Sequence, residues 1–211
     1  MSILTDISEA LEHGKRKQVT QLIQQALDEG LSPQQILTEG LLPGMDRVGT
    51  KFRNDEIFVP EVLVAARAMN AGTEILKPLL AETGGVSKGK AVIGTVKGDL
   101  HDIGKNLVKM MIEGKGIEVI DLGVDVAPDA FVQAATEHNA DIVCCSALLT
   151  TTMPVIGEVV EAFKVAGTRD KVKIMVGGAP VTQEFCDSIG ADCYTPDAAS
   201  AAIRAAELLS A

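Results

Sequence analysis

An aspartate and a histidine two residues apart are the side chains of this sequence best suited to chemistry. Asp99 and His101 lie in the segment TVKGDLHDIGKN, residues 95–106, which follows a short β-rich run, and Gly104 completes a D-x-H-x-x-G pattern. An imidazole is a good ligand for metal ions of intermediate softness, and a carboxylate on its other ring nitrogen fixes its tautomer and orientation. A lone histidine in a loop is usually a solvent-facing residue, so this interpretation depends on the context of the motif.

The glycines around this motif do not form a phosphate-binding loop. Gly94, Gly98 and Gly104 are not spaced as G-x-G-x-x-G, and the chain contains no G-K-[ST]. Two other short motifs occur later: Ser146-x-Leu148, and the glycine pair at residues 177–178. Glycine pairs after a strand are often plain turns, so these motifs also depend on the elements that position them.

The segments that carry the three motifs alternate between strands and helices. The apolar patterns predict strands at 91–96, 117–121, 141–146, 172–176 and 192–194. They predict helices at 103–113, 128–137 and 154–165, at 181–188, and from a cap at Thr195 and Pro196 to Leu209. Five strands alternating with five helices predict an α/β fold with an open, doubly wound, five-stranded parallel sheet. Ligands of such sheets bind at the carboxyl ends of the strands, where all three motifs fall.

The first part of the chain is predicted to be helical only. Apolar spacing indicates helices at 3–13 and 17–28, a third that follows a capping box at 32–35, and a fourth opened by Pro60. Short connections favour a small four-helix bundle. The Gly-, Ser- and Lys-rich stretch 82–90 reads as a linker. The predicted domains are therefore residues 1–83 (helical) and 90–211 (α/β), joined by a linker at 84–89.

Composition excludes several classes of function. The net charge is −10, which leaves no basic surface for nucleic acid or for an anionic membrane. No apolar run approaches the ~18 residues of a membrane span, and the N-terminus does not resemble a signal peptide. We therefore expect a cytoplasmic protein that binds neither nucleic acid nor membrane. The four cysteines form no C-x-x-C pair and are predicted to be buried, reduced core residues.

Taken together, D-x-H-x-x-G, S-x-L and G-G, in this order and at the ends of successive strands, resemble the signature of cobalamin-binding domains in methyltransferases and mutases. The resemblance implies a flavodoxin- or Rossmann-like domain in which His101 displaces the benzimidazole of the cofactor and ligates cobalt. It implies that Asp99 holds the other ring nitrogen of His101. Thr152 matches a serine that extends this relay in cobalamin-dependent methionine synthase, so Asp99, His101 and Thr152 are the predicted catalytic residues. The cofactor and its detached tail would be lined by Gly98, Asp99, Leu100, His101, Asp102, Ile103, Gly104, Ser146, Leu148, Thr150, Gly177, Gly178 and Ala179.

The helical half adds a second resemblance. Residues 45–69, MDRVGTKFRNDEIFVPEVLVAARAM, are similar to the cap module that precedes the cobalamin domain in methyl-transferring members of this family. Alignment on Pro60 implies that Phe52 and Val59 cover the upper face of the cobalt, although that family has leucine where this chain has Val59. Phe52 is alternatively a plain core residue of the bundle. An apolar lid would exclude water, and the linker would act as its hinge.

The cap and the cobalamin-binding domain account for almost the whole chain, as in the free-standing corrinoid proteins of multi-component methyltransferase systems. That resemblance implies a carrier that is not catalytic alone. It would accept a methyl group on Co(I) through a barrel-type, substrate-specific methyltransferase, and pass it from methyl-Co(III) to tetrahydrofolate or a thiol through an acceptor methyltransferase. A reductive activase would be a third partner.

Two alternatives remain. One is a cobalamin-binding sensor, but such regulators usually carry a basic DNA-binding helix, and this chain has none before the cap. The other is the small subunit of an adenosylcobalamin mutase, which lacks a helical cap.

Overall fold

The computed structural model describes residues 2–82 and 88–210 of the 211-residue chain. Its contacts divide the elements into a helical unit and a sheet unit. Residues 84–87 of the linker expected at 84–89 lie outside the described part of the chain.

The helical unit confirms the predicted helical N-terminal region. Its elements are α1 (Ile3–Glu12), α2 (Arg16–Asp28), α3 (Pro33–Gln35), a π-helical turn (Ile36–Leu41), α4 (Leu42–Arg53) and α5 (Val59–Glu82). The predicted capping box starts α3: the Gln35 N–H donates to the Ser32 hydroxyl at 3.2 Å, and the Ser32 N–H donates to Gln35 Oε1 at 3.3 Å. The helix then continues without a break through the π-helical turn into α4, and apolar spacing alone did not reveal that wider turn.

Aliphatic side chains form the core of the helical unit, as the scarcity of aromatic residues requires. Fully buried members of this core are Ile7, Leu11, Ile23, Ile36, Leu41 and Leu76. Within the described residues, no helix is both long enough and apolar enough to traverse a lipid bilayer.

The sheet unit contains five parallel strands in the order β2-β1-β3-β4-β5, which confirms the predicted architecture. The strands are β1 (Lys90–Thr95), β2 (Glu118–Asp121), β3 (Ile142–Ser146), β4 (Lys173–Gly177) and β5 (Cys193–Tyr194). The helices between and after them are α6 (Ile103–Glu113), α7 (Pro128–His138), α8 (Met153–Val165), α9 (Gln183–Ile189) and α10 (Ala198–Leu208).

One detail of the sequence prediction was wrong. The last helix is not capped by Thr195 and Pro196, because Asp197 takes that position and its carboxylate accepts the Ser200 N–H at 2.8 Å. A carboxylate one residue before a helix satisfies a free N–H of the first turn, which a threonine two residues earlier does not reach.

The core of the sheet unit covers both faces of β3. Residues 142–145 of this strand are all buried, and Phe131 and Phe163 pack as the largest fully buried side chains. All four cysteines are free and buried, as predicted from their apolar surroundings.

The strand register places the three sequence motifs side by side at the carboxyl edge of the sheet. Thr95 at the end of β1 pairs with Ser146 at the end of β3, and Ser146 pairs with Gly177 at the end of β4. The chain order reverses between β1 and β3, so the segments after these two strands flank the topological switch point at which open α/β sheets bind ligands.

Candidate functional site

A buried carboxylate organises the switch point. The side chain of Asp99 is fully buried, and its Oδ1 accepts the His101 N–H at 3.1 Å and contacts His101 Nδ1 at 2.6 Å. Its Oδ2 accepts the Leu148 N–H at 2.7 Å, the Leu149 N–H at 3.3 Å and the Thr152 hydroxyl at 2.7 Å. Asp99 therefore ties the loop after β1 to the turn after β3.

These hydrogen bonds decide the charge of Asp99. Burial opposes ionisation of the carboxyl group, but donation from Leu148, Thr152 and His101 outweighs burial and holds the pKa of Asp99 well below its usual range. Asp99 is consequently a carboxylate over the whole neutral range and can only accept hydrogen bonds.

The charge of Asp99 in turn orients His101. Because the carboxylate can only accept, the proton between the two side chains belongs to His101 Nδ1, and in the neutral imidazole this places the lone pair on Nε2. The Thr95 hydroxyl donates to the His101 carbonyl at 2.8 Å and fixes the backbone of the same residue. The side chain of His101 is 52% exposed, and within residues 2–82 and 88–210 no hydrogen bond engages Nε2. The arrangement therefore offers one oriented nitrogen ligand.

Apolar side chains surround this polar group. Leu100 is 72% exposed and Ile103 is 78% exposed, and on the other loop Leu148 and Leu149 are also exposed. An added Cβ on Gly104 would meet nothing within 4 Å, so the start of α6 leaves open space beside this surface. Adjacent exposed apolar residues around one polar group are typical of a binding surface for a largely apolar ligand.

A metal ion ligated by His101 would need its other ligands from a cofactor and not from the protein. No group of three or more His, Cys, Asp or Glu side chains among the described residues could hold a metal ion by itself. A single imidazole in an apolar surface fits a metal already ligated by a macrocycle, since such a metal needs only an axial ligand. The residues present therefore fit a corrinoid.

The glycine pair after β4 has two different structural roles. An added Cβ on Gly178 would lie 1.8 Å from the Ala147 carbonyl oxygen, and Gly178 has φ +125°, so the fold itself requires glycine there. An added Cβ on Gly177 would lie 3.5 Å from the Thr195 carbonyl oxygen, which is an ordinary contact. The protein's own packing therefore does not require glycine at position 177.

The other predicted residues fall into three groups. Gly98, Asp102, Thr150 and Ala179 are exposed in the loops after β1, β3 and β4, whereas Ser146 is partly buried at the end of β3. Asp102 precedes α6, where its carboxylate accepts the Asn106 side-chain N–H at 3.0 Å. Phe52 and Val59 are partly exposed in the helical unit, in the last turn of α4 and at the first position of α5.

Sequence reasoning missed several residues that hold the His101 loop. Thr95 and Leu149 bond directly to His101 and Asp99, and Asp125, after β2, bonds to the backbone of the same loop. Lys105 on α6 is buried and donates to Asp121 at 2.5 Å. The signal in the sequence was weak: Thr95 and Asp121 are polar residues at the carboxyl ends of the neighbouring strands β1 and β2.

Fold and site together define a class: an α/β protein that exposes one histidine, backed by a buried carboxylate, at the switch point of an open parallel sheet. Family models for the B12 binding domain match residues 89–205 and residues 3–77 of the chain. The chain is 45% identical to dimethylamine corrinoid protein 1 of Methanosarcina acetivorans over 208 residues, which are 98% of this chain and 97% of that protein.

Two solved structures extend the comparison. The methanol:cobalamin methyltransferase complex MtaBC of Methanosarcina barkeri matches with a TM-score of 0.88 and 30% identity, covering 99% of this chain and 80% of that one. A cobalamin-binding protein of Desulfitobacterium hafniense DCB-2 matches with a TM-score of 0.80 and 30% identity, covering 97% and 98%. The chain belongs to the family of B12-binding corrinoid proteins, which confirms the resemblance found in its sequence. The individual roles of the site residues stay predictions.

Proposed function

We propose that the chain is the corrinoid methyl carrier of a methyltransferase system, and that His101 Nε2 is the protein ligand of the corrinoid cobalt. The observation that carries this proposal is the hydrogen-bonded series from the Thr152 hydroxyl through Asp99 to His101, which ends in an oriented nitrogen within an exposed apolar surface. Membership of the B12-binding family supports the identity of the cofactor.

The cofactor supplies a cobalt centre that takes up and gives away a methyl group. The protein would hold that centre through His101 Nε2. The Nδ1 atom of His101 lies 2.6 Å from Asp99 Oδ1, so its N–H donates to that carboxylate. Thr152 donates to the opposite oxygen of Asp99, so the carboxylate keeps its charge and its orientation whether or not His101 is ligated.

The proposal includes partner proteins. A relative in this family is named for dimethylamine, and another was solved in a methanol:cobalamin methyltransferase complex. We therefore propose that a barrel-type methyltransferase loads the carrier from a methylated amine, because the relative named for dimethylamine is the more similar of these two. An acceptor methyltransferase that uses tetrahydrofolate or a thiol, and a reductive activase, complete the system in the cytoplasm.

The helical unit is proposed to act as the cap. Phe52 and Val59 would shield the cobalt between transfers. Exclusion of water from a reactive metal centre is the physical advantage of such a lid.

Reconstitution with hydroxocobalamin tests cofactor binding and ligation together. The wild-type protein is expected to bind one cobalamin per chain and to show the absorption spectrum of a histidine-ligated, base-off cofactor. His101→Ala is expected to lose that spectrum. His138→Ala is the matched control, because His138 is an exposed histidine in the last turn of α7. A His101→Ala spectrum identical to wild type would refute ligation by His101, and failure of the wild type to bind would refute the carrier role.

A transfer assay tests the choice of donor. The reconstituted, reduced carrier is mixed with a dimethylamine methyltransferase or with a methanol methyltransferase, and methylation of the cofactor is followed by absorbance. Faster methylation with dimethylamine is the expected result. Methylation by methanol alone would overturn the proposed donor class and leave the carrier role intact.

A further inference from the structure

The loop that carries His101 is held from two sides. On one side, residues 148–152 after β3 donate hydrogen bonds to the Asp99 carboxylate. On the other side lies the connection from β2 to α7, residues 122–127, whose contacts to the His101 loop no sequence motif indicates. Asp125 is the residue of this connection that reaches the loop with both its backbone and its side chain.

Asp125 makes two complementary hydrogen bonds to consecutive residues of the loop. Its Oδ1 accepts the Gly98 N–H at 2.7 Å, and its own N–H donates to the Asp99 carbonyl at 3.0 Å. The pair closes a ring that includes the backbone from the Gly98 N–H to the Asp99 carbonyl, and within it the Asp99 N–H donates to the Val96 carbonyl at 3.1 Å. Because the backbone of Gly98 and Asp99 is held at these points, the direction in which the Asp99 side chain leaves the backbone is fixed as well.

The backbone of Asp125 is unusual for a residue with a side chain. Its φ is +56°, in the left-handed region that disfavours most residues, and Gly98 across the contact has φ +84°. Aspartate and asparagine tolerate this region better than other non-glycine residues. The left-handed conformation therefore coincides with the two bonds that Asp125 makes to the His101 loop.

The turn itself does not need the Asp125 carboxylate. The Thr95 N–H donates to the Gly123 carbonyl and the Val126 N–H donates to the Thr95 carbonyl, each at 3.0 Å, and these backbone bonds keep the two loops side by side. Removal of the carboxylate is thus expected to release the Gly98 amide without unfolding the connection.

We propose that Asp125 is a positioning residue for the cobalt ligand: it fixes the backbone of Gly98 and Asp99, and through the Asp99 carboxylate it fixes the ring of His101. The inference rests on the proposed ligation of the cofactor by His101. A metal-ligating side chain that its neighbours do not hold in place binds the metal less tightly, because metal ligation is sensitive to small displacements.

Three variants test the carboxylate acceptor of Asp125 and its left-handed backbone conformation separately. Asp125→Asn keeps an oxygen acceptor and tolerates positive φ, whereas Asp125→Gly allows positive φ without strain but removes the acceptor. Asp129→Asn, at an exposed position in the first turn of α7, removes the same charge away from the loop and is the control.

The first readout uses the protein without cofactor. Hydrogen exchange of the Gly98 amide, measured by NMR, is expected to accelerate about tenfold in Asp125→Gly and less than about twofold in Asp125→Asn and Asp129→Asn. The ¹⁵N shifts of the His101 ring are expected to report the Nδ1–H tautomer in wild type and a tautomer mixture in Asp125→Gly.

The second readout uses the reconstituted protein. Cobalamin dissociation is expected to be about tenfold faster in Asp125→Gly, with partial loss of the histidine-ligated spectrum, and close to wild type in Asp125→Asn. Wild-type exchange, tautomer and dissociation rate in Asp125→Gly would overturn the inference, as would equal losses in the Gly and Asn variants. If His101→Ala leaves the wild-type spectrum unchanged, the proposed ligation fails instead, and the cofactor-free readouts still decide whether Asp125 positions the loop.

Discussion

Replacement of Thr152 by valine tests whether its hydroxyl is needed at the buried carboxylate. The Thr152 hydroxyl lies 2.7 Å from Asp99 Oδ2, and both side chains are buried. Valine keeps the shape and removes the donor. A hydrogen bond to a charged group contributes about 1.5–3 kcal/mol, and Asp99 Oδ2 keeps the Leu148 and Leu149 N–H groups. We therefore expect Thr152→Val to lower the free energy of unfolding of the sheet unit by about 2 kcal/mol, about 30-fold in its equilibrium constant.

Thr152→Ser is the matched variant, since it keeps the hydroxyl and removes one methyl group. That change is expected to cost about 1 kcal/mol. Urea unfolding of the cofactor-free protein at pH 7 gives both values, and pulse-labelled hydrogen exchange of the β3 peptide assigns the transition to the sheet unit. If Thr152→Val matches wild type, or if the serine variant loses as much as the valine variant, the side chain contributes through packing and not through its hydroxyl, and the argument is refuted.

The pH dependence of the same difference follows from the lowered pKa of Asp99. A carboxyl group with a lowered pKa in the folded state stabilises the fold above its unfolded pKa, and that contribution is lost as the pH falls through the folded pKa. Because the unfolded carboxyl is the same in both proteins, the gap between wild type and Thr152→Val is expected to stay constant from pH 8 down to about pH 4 and to shrink only in stronger acid, where the folded variant takes up its proton before the folded wild type does. A gap that persists unchanged in strong acid would contradict the role of the ionised carboxylate.

Three further predictions concern the sheet unit. Gly178→Ala is expected to lower the free energy of unfolding by more than about 3 kcal/mol, because its Cβ would overlap a backbone carbonyl at positive φ. Gly177→Ala is expected to stay within about 1 kcal/mol of wild type. Thermal unfolding measures both, and equal effects would contradict the packing argument. Asp121→Asn is expected to lower the free energy of unfolding by about 3 kcal/mol, because it leaves the buried Lys105 ammonium without its carboxylate partner. Lys105→Met is expected to lower it by only about 1 kcal/mol, because Asp121 is partly exposed. Urea unfolding measures both, and a larger loss in Lys105→Met would refute the prediction. Burial raises the pKa of Cys144 to about 12, and the other three cysteines are also buried. A disulfide reagent that labels thiols at pH 8 is therefore expected to modify all four cysteines only after denaturation. Rapid labelling of the native protein would count against this prediction.

Local patterns in the sequence were enough for the order and type of the elements in the sheet unit. The predicted strand at 141–146 and the observed β3 (Ile142–Ser146) differ by one residue, and the helix predicted at 103–113 has the observed bounds of α6. Apolar periodicity and the breaks at glycine and proline are properties of neighbouring residues, so they are readable in one dimension. The cap of α10 was misassigned because two polar candidates lay two residues apart, and only the backbone direction separates them.

The sequence by itself also indicated which chemistry to look for, since D-x-H-x-x-G places a candidate metal ligand and a carboxylate that could orient it within three positions. The tertiary structure decided how that carboxylate is held. Asp99 bonds to residues 49–53 positions away in sequence, and Asp125 reaches Gly98 across 27 positions. It likewise decided that Gly178 is required by a neighbouring carbonyl group. Contacts of this kind depend on strand register and on the closure of loops, and neither is encoded in the spacing of nearby residues.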